Sequence, residues 1–152
     1  MEEKARFFLK TRVNLSCGAF AEVAGEAVAL GRTVLVVTGR TAMQRTGALA
    51  RLQKAIEEAG GRVVLFDRVF PNPTTDLIDE GVKVARKERA EVVIGLGGGS
   101  AMDTAKAIAV AVKFERPAAE LFFAPLPPEA PTLPMVAVPT TSGTGSEVTP
   151  FA

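Results

Sequence analysis

Two rhythms of apolar and polar positions alternate along this chain. Continuous apolar runs at Thr33–Thr38, Val63–Phe66, Glu91–Leu96 and Met135–Val138 predict strands, the β-branched Thr33–Thr38 being one buried on both faces. Between them, apolar residues recur at helical spacing over Gly18–Leu30, Ala48–Ala59, a stretch from Thr75 or Asp76 to about Arg89, and Ser100–Lys113. Gly31, Gly39 and Gly60-Gly61 punctuate these segments, and Pro71-Asn72-Pro73-Thr74 reads as a turn. Phe7-Phe8-Leu9 and Arg12–Leu15 predict two short strands, a small hairpin at the edge of the sheet. Arg116–Pro134 is rich in Pro and Ala, with Leu121-Phe122-Phe123 as its apolar anchor, and reads as a structured loop or short helical turn.

Strand and helix alternating every thirty residues or so is the signature of βαβ units. The expected fold is α/β and Rossmann-like: a doubly wound, mainly parallel sheet with helices on both faces and the small N-terminal edge hairpin. A chain of 152 residues is expected to form one domain, 1–152, with room for a sizeable core. The formal charge of +1, with Lys and Arg scattered among Asp and Glu, argues against a nucleic-acid or membrane-surface partner. No apolar stretch approaches the length of a membrane span, and the start, Met1-Glu2-Glu3-Lys4, lacks a signal-peptide apolar core. Cys17 is alone, which excludes an internal disulfide and points to the cytoplasm. Asn and Gln are scarce (Asn14, Asn72, Gln44, Gln53) and Arg outnumbers Lys, a compositional lean toward a thermophilic source.

Two of the predicted strands run directly into small, polar loops. Val92–Leu96 empties into Gly97-Gly98-Gly99-Ser100 and then a strong helix former, a junction that offers bare N–H groups and the positive end of a helix dipole to an anion such as phosphate. Gly95, Gly97 and Ser100 fall on the three glycine positions of the G-x-G-x-x-G fingerprint, but after the third major strand and without the expected downstream acid. No G-x-x-x-x-G-K-[ST] is present, which argues against a phosphotransferase of that class. Asp103 suits either a helix N-terminus, paired with Lys106 at i, i+3, or a hydrogen bond to a ligand. The second loop, Pro139–Ser146, carries five hydroxyls and two glycines after a buried strand. With no His in the chain, neither Cys17 nor any Ser has a base of the usual kind to activate it. Both loops stand at the carboxyl ends of strands, where ligands of open parallel sheets bind.

Gly97-Gly98-Gly99-Ser100-x-x-Asp103-x-x-Lys106 together with Pro139-Thr140-Thr141-Ser142-Gly143-Thr144-Gly145-Ser146-Glu147 resembles the iron-containing, or group III, alcohol dehydrogenase family. Pro71–Thr74 and the Val37-Thr38-Gly39 strand end fit the same pattern, and the likeness runs from about Gly18 to the last residue. The resemblance implies a nicotinamide dinucleotide whose pyrophosphate lies on Gly98, Gly99 and Ser100, with Gly97 and Gly39 also among the cofactor-binding residues. Asp103 would approach the nicotinamide end, Thr140, Thr141 and Ser142 would flank the adenosine and pyrophosphate, and Asn72 would border the cleft. Members that prefer NAD typically carry Asp where this chain has Gly39, so NADP is expected over NAD, with Arg40 and Arg45 near enough in sequence to attract a 2′-phosphate. The family is similar to a two-domain enzyme, whose helical second domain supplies an Asp and three His to a divalent metal, Fe or Zn. Without His, this chain cannot build that site, so it is expected to be the cofactor-binding half, truncated relative to the enzyme and inactive alone. No catalytic and no metal-ligating residue is therefore assigned within it. Its expected partners are the dinucleotide, a small alcohol or aldehyde in the whole enzyme, and a second copy through the edge strands near Phe7 and Val13. The alternative is a stand-alone binding module for a nucleotide or sugar phosphate, without catalysis.

Overall fold

A computed structural model describes residues 11–122 and 129–149. Its order is a 3-10 turn (Ala19–Glu22), α1 (Val23–Leu30), β1 (Thr33–Gly39), α2 (Ala42–Arg45), α3 (Ala48–Glu58), β2 (Arg62–Val69), α4 (Thr75–Lys87), β3 (Val92–Gly97), α5 (Gly99–Ala111), α6 (Ala118–Phe122) and β4 (Met135–Pro139). The four strands form one sheet in the order β2-β1-β3-β4, and every pair is parallel. From β1 the chain steps outward to β2 and then returns past β1 to β3. The order therefore reverses between β1 and β3, the place where open parallel sheets hold a ligand in a crevice beyond their strands' carboxyl ends.

Alternation along the central strands divides the core in two. Leu35, Val37 and Val93 face α4 and α5, meeting Leu77, Val82, Ala105 and Ile108. Val34, Val36, Ile94 and Leu96 face α1 and α3, meeting Ala27, Leu49, Leu52 and Ile56. Both faces of β1 and β3 are covered, which explains why those strands read as unbroken apolar runs.

Gly95 sets how closely α5 lies on β3. A Cβ there would stand 3.0 Å from the Met102 Cα and 3.0 Å from the Ala105 Cβ, neither of which can swing aside. Gly95→Ala is expected to push α5 outward and to lower stability by about 1–3 kcal/mol, read as a reduced midpoint in urea at unchanged slope.

Several boundaries differ from the sequence expectation. The Gly18–Leu30 helix opens as a 3-10 turn, because Gly18 at φ 87 leads into a tighter first turn. Thr74, rather than Thr75 or Asp76, caps α4: its Oγ1 accepts from the Leu77 N–H at 3.4 Å. β2 continues through Asp67 and Arg68 to Val69, since pairing with β1 carries the ladder beyond the apolar run. The Pro- and Ala-rich segment holds the short helix α6. The edge hairpin is corrected in part. Phe7-Phe8-Leu9 lies outside the described residues, and Arg12–Leu15 is exposed and joins no ladder, so its backbone lacks the neighbour a strand requires.

Candidate functional site at the strand ends

β3 delivers its chain to the crevice through Gly97, held at φ 148, a conformation glycine adopts at little cost. Gly98 is the N-cap of α5, Gly99 its first residue, and Ser100 follows. The Ala101 and Met102 N–H groups donate back to the Gly98 carbonyl, while the N–H groups before them precede any intrahelical acceptor. The thirteen-residue α5 adds its dipole at the same point.

The second loop leaves β4 alongside. Its first residue is tied to the first loop, with the Thr140 N–H donating to the Gly97 carbonyl at 2.9 Å. A Cβ on Gly98 would stand 3.1 Å from the Thr141 Oγ1, and one on Gly99 would stand 3.1 Å from both the Ser146 Oγ and the Thr144 Cγ2. The loops thus pack in direct contact only because these two glycines lack side chains. Thr140, Thr141 and Ser142 remain exposed over the cleft.

Asp103 joins the two loops from below. It forms an ion pair with Lys106 at 2.9 Å, and the buried Ser146 hydroxyl donates to its Oδ2 at 3.4 Å. Lys106 also donates to the Thr149 carbonyl at 3.3 Å. The expected i, i+3 pair with Lys106 is thus formed. However, α5 starts at Gly99 and has no acid in its first turn, so Asp103 lies too far along to serve the helix N-terminus. A ligand would meet a carboxylate already engaged by Lys106 and Ser146.

A second concavity, about 660 Å³, opens at the ends of β1 and β2. Arg40, Gln44, Asp67, Arg68 and Phe70 line it; Arg45 does not. Gly39 ends β1 beside it, and a Cβ there would meet only the Val69 carbonyl oxygen, at 3.6 Å. Arg68 is paired with Glu80 at 3.1 Å, and Gln44 donates to Asp67 at 3.3 Å. The structure thus separates the two candidate cations: Arg40 reaches this concavity and Arg45 does not.

Asn72 stands in the β2–α4 turn, exposed and at φ 56, two strands from β3. It occupies the same end of the sheet as Gly97–Ser100 without joining that cluster. Sequence reasoning missed Asp67, Gln44 and Phe70. The acid at position 67 follows an apolar run directly, and extending the predicted strand by one residue would have included it.

The residues present fit a dinucleotide: bare glycine backbone at a helix N-terminus, hydroxyls opposite, and, one strand away, a pocket where Arg40 and Arg68 stand beside Asp67 and Glu80. They do not fit a catalytic metal. The sequence has no His, and among the described residues no group of three or more His, Cys, Asp or Glu side chains could hold an ion. Among the described residues, no helix is long and apolar enough to cross a membrane.

Known proteins give the same picture. Residues 10–152 match the iron-containing alcohol dehydrogenase family. The chain is 42% identical over 120 residues to the long-chain primary alcohol dehydrogenase of Thermoanaerobacter ethanolicus, covering 78% of this chain and 30% of that protein. It is 33% identical over 146 residues to the NAD-dependent methanol dehydrogenase of Bacillus methanolicus, covering 96% and 38%. Among solved structures, the NADH-dependent butanol dehydrogenase A of Thermotoga maritima superposes with a TM-score of 0.88 at 31% identity, over 96% of this chain and 37% of that one. The chain thus spans about a third of the length of these relatives, and the likeness falls on their N-terminal part. With the paired loops, the parallel sheet and this likeness in agreement, the chain belongs to the iron-containing alcohol dehydrogenase family.

Proposed function

We propose that this chain is the NADP-binding half of a metal-dependent alcohol dehydrogenase and that it catalyses nothing alone. The observation that carries the reading is the contact between the loops after β3 and β4, closed by Thr140 on Gly97 and by Gly99 against Thr144 and Ser146. Backbone N–H groups at the start of α5 bind the pyrophosphate, and the hydroxyls of Thr140, Thr141 and Ser142 border it. Asp103, fixed by Lys106 and Ser146, orients the nicotinamide side by holding the two loops in register. A bound nicotinamide supplies hydride exchange at C4 with an alcohol or aldehyde. No step through a metal is assigned to these residues, because the donors it needs are not among them.

The preference for NADP rests on Gly39 and Arg40. Gly39 presents no carboxylate to repel a 2′-phosphate, and Arg40 lines the neighbouring cavity, where its guanidinium can take a charge-assisted pair of hydrogen bonds. Arg40→Ala is expected to weaken NADP binding about tenfold and NAD binding little, the size of one such contact. Calorimetric titration of both nucleotides into wild type and variant tests this, and tighter NAD binding by the wild type would overturn the preference.

The same reading includes a cytoplasmic location, supported by the lone, exposed Cys17, and a thermophilic source, supported by composition. It also includes a homodimer, supported by exposed Val13 and Leu15. The complete polypeptide with Fe²⁺ or Zn²⁺ is expected to reduce NADP with a short primary alcohol or diol. Absence of turnover with every divalent metal would favour the stand-alone binding module instead.

A further inference from the structure

Three polar residues are buried among the described residues: Thr38, Thr104 and Ser146. Two are satisfied, Thr104 by the Ser100 carbonyl at 2.7 Å and Ser146 by Asp103. Thr38 is wholly buried, and its Oγ1 has no hydrogen-bond partner. A buried hydroxyl left unpaired is costly, and valine, the residue at positions 34, 36 and 37 of the same strand, has the same shape without that cost.

The position of this hydroxyl is informative. Thr38 pairs in register with Leu96, at the point where the sheet order reverses and the crevice opens. Toward β2 the register breaks beside it: Val37 pairs with Phe66, but Gly39 pairs with Val69, so β2 carries one extra residue opposite Thr38. Such bulges bend a strand and re-aim its side chains, here Asp67 and Arg68, toward the cavity shared with Arg40. By alternation, Thr38 projects to the face of Val34 and Val36, where α2 buries Met43. The segment directly after Thr38, Gly39 to Thr41, links that face to the cavity.

We propose that Thr38 is a positioning residue for the nucleotide, whose hydroxyl gains its partner, a peptide group of the Gly39–Ala42 turn, when Arg40 closes on the 2′-phosphate. The proposal rests on the NADP reading above. Thr38 has no exposed surface, so it acts through the turn rather than by touching the ligand. A hydroxyl can rotate to donate or accept, which suits it to an N–H or a carbonyl of that turn. Leaving it unpaired without ligand and paired with ligand couples the turn's closure to binding, because ligand favours the state in which the group is satisfied.

Thr38→Val and Thr38→Ser in the complete polypeptide test this, using thermal unfolding without ligand and fluorescence titration with NADPH and NADH. The Val variant is expected to unfold no lower than wild type and to bind NADPH about five- to tenfold more weakly, the loss of one hydrogen bond. The Ser variant, which keeps the hydroxyl, is expected to bind NADPH as wild type does. NADH binding is expected to change less than NADPH binding in the Val variant. Unchanged NADPH affinity in Thr38→Val overturns the proposal, as does equal weakening in the Ser variant. So does a lower melting temperature for the ligand-free Val variant, which would mean that the hydroxyl already has a partner such as a buried water. A wild-type protein that binds neither nucleotide overturns the cofactor reading itself, whereas wild-type binding with an unaffected Val variant overturns this inference alone.

Discussion

Gly99→Val is expected to reduce NADPH affinity by about 100-fold or more while leaving the fold in place. The first added carbon would already stand 3.1 Å from the Thr144 Cγ2, 3.2 Å from its Cβ and 3.1 Å from the Ser146 Oγ. Valine adds two methyl groups to that crowded point, so the loop after β4 must withdraw from the start of α5. Withdrawal separates Ser146 from Asp103 and moves Thr140–Ser142 off the cleft. Ala105, Ile108 and Ala109, one or more turns further along α5, sit in the core beneath the sheet and keep their contacts. Losing two contacts to a charged phosphate costs on the order of 3 kcal/mol, which is about two decades in affinity. Far-ultraviolet circular dichroism should be unchanged and the titration should fail to saturate at wild-type concentrations. Affinity within about tenfold of wild type, judged against that same scale, would mean that the nucleotide does not lie between these loops.

Gly39→Asp is expected to invert cofactor preference, from NADP to NAD, with the ratio of affinities shifting about 100-fold or more. Its structural basis is that the side chain has room. A Cβ at Gly39 meets only the Val69 carbonyl oxygen, at 3.6 Å, an ordinary contact, and the backbone there is not in the left-handed region. The substitution should therefore fold, and its effect should be electrostatic. A carboxylate beside a 2′-phosphate repels it, and juxtaposed like charges cost several kcal/mol. Beside a free ribose the same carboxylate can accept a hydroxyl hydrogen bond, so NAD gains what NADP loses. Arg40 adds to the inversion, since a carboxylate at its neighbour would engage the guanidinium that otherwise serves the phosphate. The check is calorimetric titration with both nucleotides. An unchanged ratio would place the 2′-position elsewhere than the β1 end.

The legible part of this protein was the part built from local runs. The four strands were readable because β1 and β3 are covered on both faces and must be apolar throughout, and α3 and α4 because each buries one face on the sheet. The Gly97–Ser100 turn was readable because only a side-chain-free stretch can leave a strand, turn at φ 148 and start a helix within three residues. Failures fell where a neighbour decides the outcome. Arg12–Leu15 has the alternation of a strand, yet its residues find no ladder and stay exposed. β2 outran its apolar core because β1 supplied hydrogen-bond partners beyond it. Asp103 offered two equal roles until its distances to Lys106 and Ser146 showed that it is already engaged.

By itself, then, the amino-acid order determined the alternating parallel architecture, the two small polar loops at strand ends and the absence of histidine, since each depends on residue type and short-range spacing. Tertiary structure alone decided that the glycines serve contact between loops forty residues apart, because closeness of that kind depends on the pairing of β3 with β4. It also decided that Arg40 and not Arg45 reaches the cavity, because α2 turns Gln44 toward it and the next side chain, Arg45, falls on a different face of that helix. Only the packing of β1 against α2 revealed that the Thr38 hydroxyl is buried without a partner. Burial and hydrogen bonding are properties of assembled neighbours, and no periodicity along a single strand records them.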